Sequence, residues 1–472
     1  MYAGVAISES DDLRPLLERA DIKLTGSQHL RDYIPKIESL EYQTLTQELC
    51  GQAVFLMFDG TRRLGEALNT VARFCNAEFE IIMRLVQFIT LEARPDNLAL
   101  SATLNLVIRE LGLPFEAISG WGRDSVKVNG TALSRLSVIF PNSTDLLCIC
   151  HTLNNTGERV GFPEKRDFMT AWLILVLNNN TAKKMWKSLT QHAMVGYFTI
   201  RWWSRQEVEN EISENWHHVP NFLHQLEDED VGDATTRRML EIYAANPLLL
   251  EVSFAAGYDG TARLLRTTYE MEGDRLEILL VFRRVEAVRA FGRSLGDPDN
   301  RGVLPNADAV IRRSMVSTVG TSLEKEFPGH GVFSGKITKI DKEDPEELIY
   351  HITYEDGDTE TMQIAEVLPL LSVVEDQLRN YAIEQLRGAY EYLEKRLTGE
   401  CDSSYDCRQV YLVFELAQLF DPSFVAEANV DAKWVRRLSS ITPLSRAENG
   451  KLVTRLEGEL REIGLRSDKR SG

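Results

Sequence analysis

Two acids in this 472-residue chain stand where acids can do chemistry. The apolar run Ala53–Phe58 closes on Asp59-Gly60, so a buried strand carries one carboxylate to its mouth. A second, Asp124, stands where a strand-like stretch gives way to a helical pattern that begins at Val126. Ligands of α/β sheets collect beyond the carboxyl ends of strands, where two such acids can face one another across neighbouring strands. Each also has a plain structural reading. Asp59 suits a turn, because an Asp side chain bonds backbone two residues on, and Asp124 suits the N-cap of the helix that follows.

Those acids need a sheet to hold them. Ala53–Phe58, Ala67–Phe74 and Phe79–Leu91 read as three successive strands with turns too short for a helix between them. Asn97–Leu111 follows with apolar residues at helical intervals after a Pro95-Asp96 start signal. Glu116–Ser119 returns to the sheet and ends in Gly120-Trp121-Gly122-Arg123, Val126–Phe140 is a second helix, and Asp145–Cys150 is a fifth strand ending at His151. Three antiparallel strands, a helix, a parallel strand, a helix and another strand is the order of a ribonuclease H-like fold. That fold holds metal with acids at the ends of its first and fourth strands, and Asp59 and Asp124 occupy those places here. The expected architecture is α/β: a helical entry segment at 1–50, a ribonuclease H-like mixed-sheet core at 51–215 and an all-α insertion at 216–320. A small β-barrel is expected at 321–372, and a helical remainder with the C-terminal part of the core at 373–472.

The totals bound the function. The length allows two to four domains with ample core. No apolar run reaches the roughly 18 residues of a membrane span, and Met1–Ala20 lacks a signal-peptide pattern, so the chain is expected inside the cell and not through a membrane. The six cysteines (Cys50, Cys75, Cys148, Cys150, Cys401, Cys407) show no repeated zinc-site spacing, which favours reduced thiols. A net charge of -18 excludes a surface uniformly coated for nucleic acid, so any DNA contact has to be local.

Cys148-Ile149-Cys150-His151-Thr152-Leu153-Asn154 resembles the hAT superfamily of DNA transposases, whose fifth strand ends in Cys-x-x-His followed by Thr-Leu-Asn, with Cys148 and His151 in those two places. Phe58-Asp59-Gly60-Thr61, Arg201-Trp202-Trp203-Ser204 and Thr268–Asp274 resemble further hAT stretches in the same order. The resemblance implies a core that cuts and rejoins DNA, with three carboxylates holding two Mg²⁺ ions, one activating water or a 3′-hydroxyl and one stabilising the leaving oxygen. Asp59, Asp124 and Glu459, with Glu457 next, would be those ligands, and Arg201 and Trp202 would lie near DNA. Three departures stand against activity: Arg123 puts a cation beside Asp124, no zinc finger precedes the core and no dimerisation region is identified. The expectation is a truncated or domesticated transposase. Cys148 and His151 also read as a buried thiol and a core histidine, and Trp202 and Trp203 as core residues.

A different composition starts at Leu323. Phe327–Thr338 and Ile349–Asp358 are short alternating strands with Gly and Asp-Gly turns, the pattern of a small barrel. This stretch resembles a Tudor-like domain of the PTM/DIR17 type, in which a Gly-x-Phe-x-Gly strand precedes Tyr-Glu-Asp-Gly-Asp. The resemblance implies binding of a methylated lysine or arginine, with Phe333, Tyr350 and Tyr354 as ring faces and Asp356 and Asp358 attracting the charge. From Asp341 to Asp376 there are twelve acids and one basic residue, Lys342, a field that favours a basic peptide and repels DNA. The same aromatics could instead only fill the barrel. Two functions are thus expected in competition: DNA strand cleavage and transfer by ancestry, or a chromatin-associated module reading a methylated histone tail. Both imply the nucleus.

Overall fold

The computed structural model describes residues 27–61, 66–140, 142–197, 203–271, 278–297, 302–317, 322–341, 349–400, 407–420 and 432–438, with a few isolated positions besides. They form two compact units, one of residues 1–148 with 402–472 and one of residues 149–401. Sequence spacing carries the first core through residue 215, and the compact units divide at Cys148 and Asp402.

In the first unit, helix α1 (Ser27–Leu49) anchors to the core through Leu45 and Leu49 while Ile34, Ile37 and Leu40 stay exposed. Strands β1 (Val54–Thr61), β2 (Glu66–Cys75) and β3 (Ile81–Leu91) run antiparallel, helix α2 (Asn97–Glu110) crosses over to β4 (Ile118–Arg123), and α3 (Lys127–Leu136) leads to β5 (Thr144–Leu147). The sheet order is β3-β2-β1-β4-β5, with β4 parallel to β1 and β5 parallel to β4. The succession of elements, with three antiparallel strands and then a parallel fourth, is the one expected from the apolar runs. Period-two alternation sends Val54, Leu56 and Phe58 to the buried face, where Leu100, Leu104 and Ile108 of α2 and Leu133 and Leu136 of α3 meet them. Trp121 closes that core edge-on against Phe140 at 5.5 Å. Asp96 starts α2 as expected, its carboxylate accepting the Ala99 N–H at 2.8 Å.

Three boundaries differ from expectation, the first being that β1 runs through Asp59-Gly60 to Thr61 and does not turn there. Gly120-Trp121-Gly122-Arg123 is strand and not the exit from one, because its glycines serve packing. A Cβ at Gly120 would stand 2.6 Å from the Phe55 ring, and one at Gly122 would stand 2.9 Å from Met57 Cγ. The fifth strand stops at Leu147, since from Ile149 the burial follows helical spacing through Thr152, Leu153 and Thr156.

The second unit is helical around an inserted sheet. Helices α4 (Ile149–Gly157), α5 (Pro163–Asn178), α6 (Asn180–Thr190), α7 (Ser204–Glu214), α8 (Val219–Asp228) and α9 (Asp233–Ala245) lead into α10 (Pro247–Met271), which is buried along much of its length. Trp172, Trp186 and Phe222 form an aromatic cluster with centroids 4.9–5.9 Å apart. Gly260 of α10 is where Leu386 packs, and a Cβ there would meet that side chain at 2.4 Å. After α11 (Ile278–Ser294) and α12 (Pro305–Ser317), four antiparallel strands follow: β6 (Ser322–Phe327), β7 (Gly331–Asp341), β8 (Ile349–Tyr354) and β9 (Thr359–Gln363). The last passes directly into the 35-residue α13 (Ile364–Thr398). In the first unit, α14 (Arg408–Ala417) then packs on β5, and α15 (Ala432–Arg437) follows. No single helix among the described residues is long and apolar enough to cross a membrane.

The four strands lie in the order β6-β7-β8-β9 as an open sheet, where a closed barrel was expected. Helix α13 lies against β6, β8 and β9.

Asp259 of α10 accepts the backbone N–H groups of Asn306 (3.0 Å) and Ala307 (3.1 Å), orphan donors at the start of α12. Burial nonetheless dominates and pushes its carboxyl up to about 6, against the downward pull of those hydrogen bonds. The unfolded carboxyl titrates near its ordinary value, so between pH ~4 and ~6 the folded chain holds the extra proton. Stability from this group is complete below pH ~4 and lost as pH rises through about 6, an effect of roughly 3 kcal/mol. Denaturant unfolding from pH 4 to 7 should therefore show a shallower decline for Asp259→Asn than for the wild type.

Candidate functional site

Asp59 lies within β1, still paired with β2, and not in a turn at the strand's end, while Asp124 follows the last residue of β4. The last paired level of β1 and β4 is Met57 with Gly122, and each acid lies two residues further along its parallel strand. Asp59 is exposed and pairs with Asn69 of β2 in register. Asp124 is committed locally: its Oδ1 accepts the Val126 N–H (3.0 Å) and the Asn129 Nδ2–H (2.6 Å), which fixes the entry to α3 in the manner of a cap. Arg123 is equally committed. Its buried guanidinium donates from Nε to Asp145 Oδ1 and from Nη2 to Asp145 Oδ2, both at 2.8 Å, and from Nη1 to the Asp124 carbonyl at 3.0 Å. It is an internal clamp between β4 and β5.

Glu459, Glu457, Arg201 and Trp202 lie outside the described residues. Neighbouring Trp203 is core. Its ring lies where a Cβ on Gly157 would come within 2.4 Å, and its backbone N–H donates to Asn154 Oδ1 at 3.3 Å. Cys148 follows β5, and His151 stands in the first turn of α4 and not at a strand end. Among the described residues no three His, Cys, Asp or Glu side chains are grouped as metal ligands. Of the three carboxylates that the hAT resemblance implies, Glu459 lies outside the described residues and Asp124 holds the entry to α3 through Oδ1.

The inserted sheet does bring its residues together. On its inner face, register aligns Lys325 with Phe333, Leu323 with Gly335 and then Tyr354, and Ile337 with Ile352 and then Glu360. The face has two ends. At one, Leu323, Ile337, Tyr350, Ile352 and Met362 are buried, with Val367 of α13 buried beside them in sequence. Tyr350 is 1% exposed there and presents no ring face to a ligand.

At the other end three rings meet edge to face: Phe327 with Phe333 at 5.7 Å and Phe327 with Tyr354 at 5.3 Å. Phe327 and Phe333 are half-buried, while Tyr354 backs them at 5% exposure. The Tyr354 hydroxyl donates to Glu360 Oε2 (2.7 Å), and Lys325 Nζ donates to Glu360 Oε1 (2.6 Å) while standing 5.0 Å from the Phe327 centroid. Burial first, and then the Glu360 carboxylate, raise the Tyr354 phenol, so it stays protonated. Burial pushes Glu360 upward, but the hydrogen bonds from Lys325 and Tyr354 prevail and hold it below its ordinary value, ionised at neutral pH. Gly335 makes the cluster feasible. A Cβ there would stand 2.9 Å from the Tyr354 ring and 2.7 Å from Ile352 Cγ2. Asp356 and Asp358 are exposed in the β8–β9 turn, where Asp356 Oδ1 accepts the Asp358 N–H (3.0 Å) and Gly357 takes φ +91°.

A family model described as PTM/DIR17-like, Tudor domain matches residues 320–371, which contain all four strands. No curated protein matches the chain. Phe327, Lys325 and Glu360 are absent from the residues that sequence spacing selects, although the alternation Leu323-x-Lys325-x-Phe327 places the ring and the cation on the inward face.

Two outcomes are expected. Asp145→Ala leaves the Arg123 guanidinium buried without its carboxylate and should lower stability in urea by roughly 2 kcal/mol, below the figure for a fully buried pair because Asp145 is part-exposed. Gly335→Val should force the Tyr354 ring aside and cost about 1–3 kcal/mol, with altered near-ultraviolet circular dichroism.

Proposed function

We propose that the chain is a chromatin-associated binding protein whose Tudor-like sheet reads a methylated lysine or arginine in a basic peptide such as a histone tail. The observation that carries this reading is the aromatic end of the sheet, where the rings of Phe327, Phe333 and Tyr354 meet and the Tyr354 hydroxyl holds an ionised Glu360. Ring faces attract a methylated cation that is only weakly hydrated, and the carboxylate supplies the charge. The match of residues 320–371 to a Tudor family model supports the same reading. Asp356 and Asp358 act at the rim through their field, and the acidic surroundings favour a basic partner over DNA. Such a ligand places the protein in the nucleus.

The five-stranded sheet is read here as a ribonuclease H-like scaffold, a reading supported by the order β3-β2-β1-β4-β5 with only β4 and β5 parallel to β1. Descent from a hAT-type transposase is compatible with that order. Strand cleavage by Asp59, Asp124 and Glu459 has less support, because Asp124 is bound into the entry of α3.

Calorimetric titration of the full chain with a basic peptide carrying one methylated lysine tests the proposal. Phe327→Ala and Phe333→Ala should each weaken binding about tenfold, the scale of one lost ring face. Tyr354→Phe, which removes only the hydroxyl that holds Glu360, should cost a few-fold. Tyr350→Phe should change nothing, and equal binding by all four variants would overturn the proposal.

A further inference from the structure

The aromatic end of the sheet already holds a cation. Lys325 projects from β6 on the inner face between Leu323 and Phe327, and its ammonium has a ring on one side and a carboxylate on the other. Those are the two groups that the proposed function assigns to a lysine from another chain. Glu360 is the shared element: Oε2 is held by the Tyr354 hydroxyl, and Oε1, the oxygen left to meet a ligand, is taken by Lys325 Nζ at 2.6 Å. The Lys325 side chain is 28% exposed, so it sits at the mouth of the site and can swing to solvent without moving the strand.

We propose that Lys325 is the resident occupant of this cation site, and that a methylated lysine binds by displacing it from Glu360. This rests on the methyl-cation reading and adds two properties to it. The free site is self-occupied, so affinity for a ligand is reduced by the contacts Lys325 surrenders. The ligand class is also narrowed. Once Lys325 leaves, Glu360 Oε1 is a part-buried acceptor, satisfied by the N–H that mono- and dimethyllysine retain and trimethyllysine lacks.

The test uses the full chain and basic peptides bearing unmodified, mono-, di- or trimethylated lysine, titrated against wild type, Lys325→Met and Phe327→Ala. Methionine keeps an apolar stem beside Phe327 and removes the charge. Lys325→Met should tighten dimethyllysine binding by about three- to tenfold, the worth of a part-exposed ion pair together with one ring contact. In wild type the dimethylated peptide should outbind the trimethylated one. A chain labelled at lysine Cε supplies a second readout: the Lys325 resonance, shifted by the Phe327 ring and identified by its loss in Lys325→Met, should move to the position of a solvated lysine as peptide saturates.

Wild-type binding that depends on Phe327 but is unchanged or weakened in Lys325→Met, or that favours trimethyllysine, overturns displacement while the methyl-cation reading stands. No binding by either wild type or Lys325→Met overturns both. Binding by Lys325→Met alone supports displacement, with wild type fully self-occupied.

Discussion

A ring can cross a strand only where that strand lacks a side chain, and the aromatic end of the inserted sheet depends on this at Gly335. Tyr354 lies across β7 at that position, and Phe327 packs edge-on to Tyr354 and Phe333 in turn. The phenol places Glu360, and Glu360 holds Lys325. One missing Cβ thus precedes a chain of contacts running through all four strands. The first unit uses the same device, since Gly120 and Gly122 of β4 admit Phe55 and Met57 of β1.

Much of the first unit was legible because its strands are long apolar runs and its first crossover helix carries a start signal. Connection lengths gave three antiparallel strands and a parallel fourth, with tight turns between the first three and a helix before the fourth, whereas the place of β4 beside β1 and the direction of β5 come from the structure. Boundaries failed where one residue type serves two purposes. Glycine marks turns and also close packing, so Gly120-Trp121-Gly122 read as the end of a strand while lying within it. Asp124 carried both a metal reading and a capping reading, and spacing could not choose between them. The hydrogen bonds to Val126 and Asn129 favour the cap.

The inserted sheet shows a different limit. Alternation places Tyr350 and Tyr354 on one face, and both do point inward. Which rings each of them meets is a tertiary fact with no trace in the strand pattern. Both are buried, but Tyr354 meets Phe327 and holds Glu360. Phe327 was legible as inward-facing by the same period-two rule, but its contact with Phe333 and Tyr354 is again tertiary.

The junction of β9 with α13 has a consequence of its own. Gln363 ends the strand and Ile364 begins the helix, and a reciprocal pair of hydrogen bonds between Gln363 and Glu366 fastens the change of direction. No spacer separates the inserted sheet from a helix that continues to Thr398, about 50 Å at the usual rise per residue. The sheet is therefore mounted as a bracket and not hung on a tether, and whatever it grips is held at a bearing set by the helix.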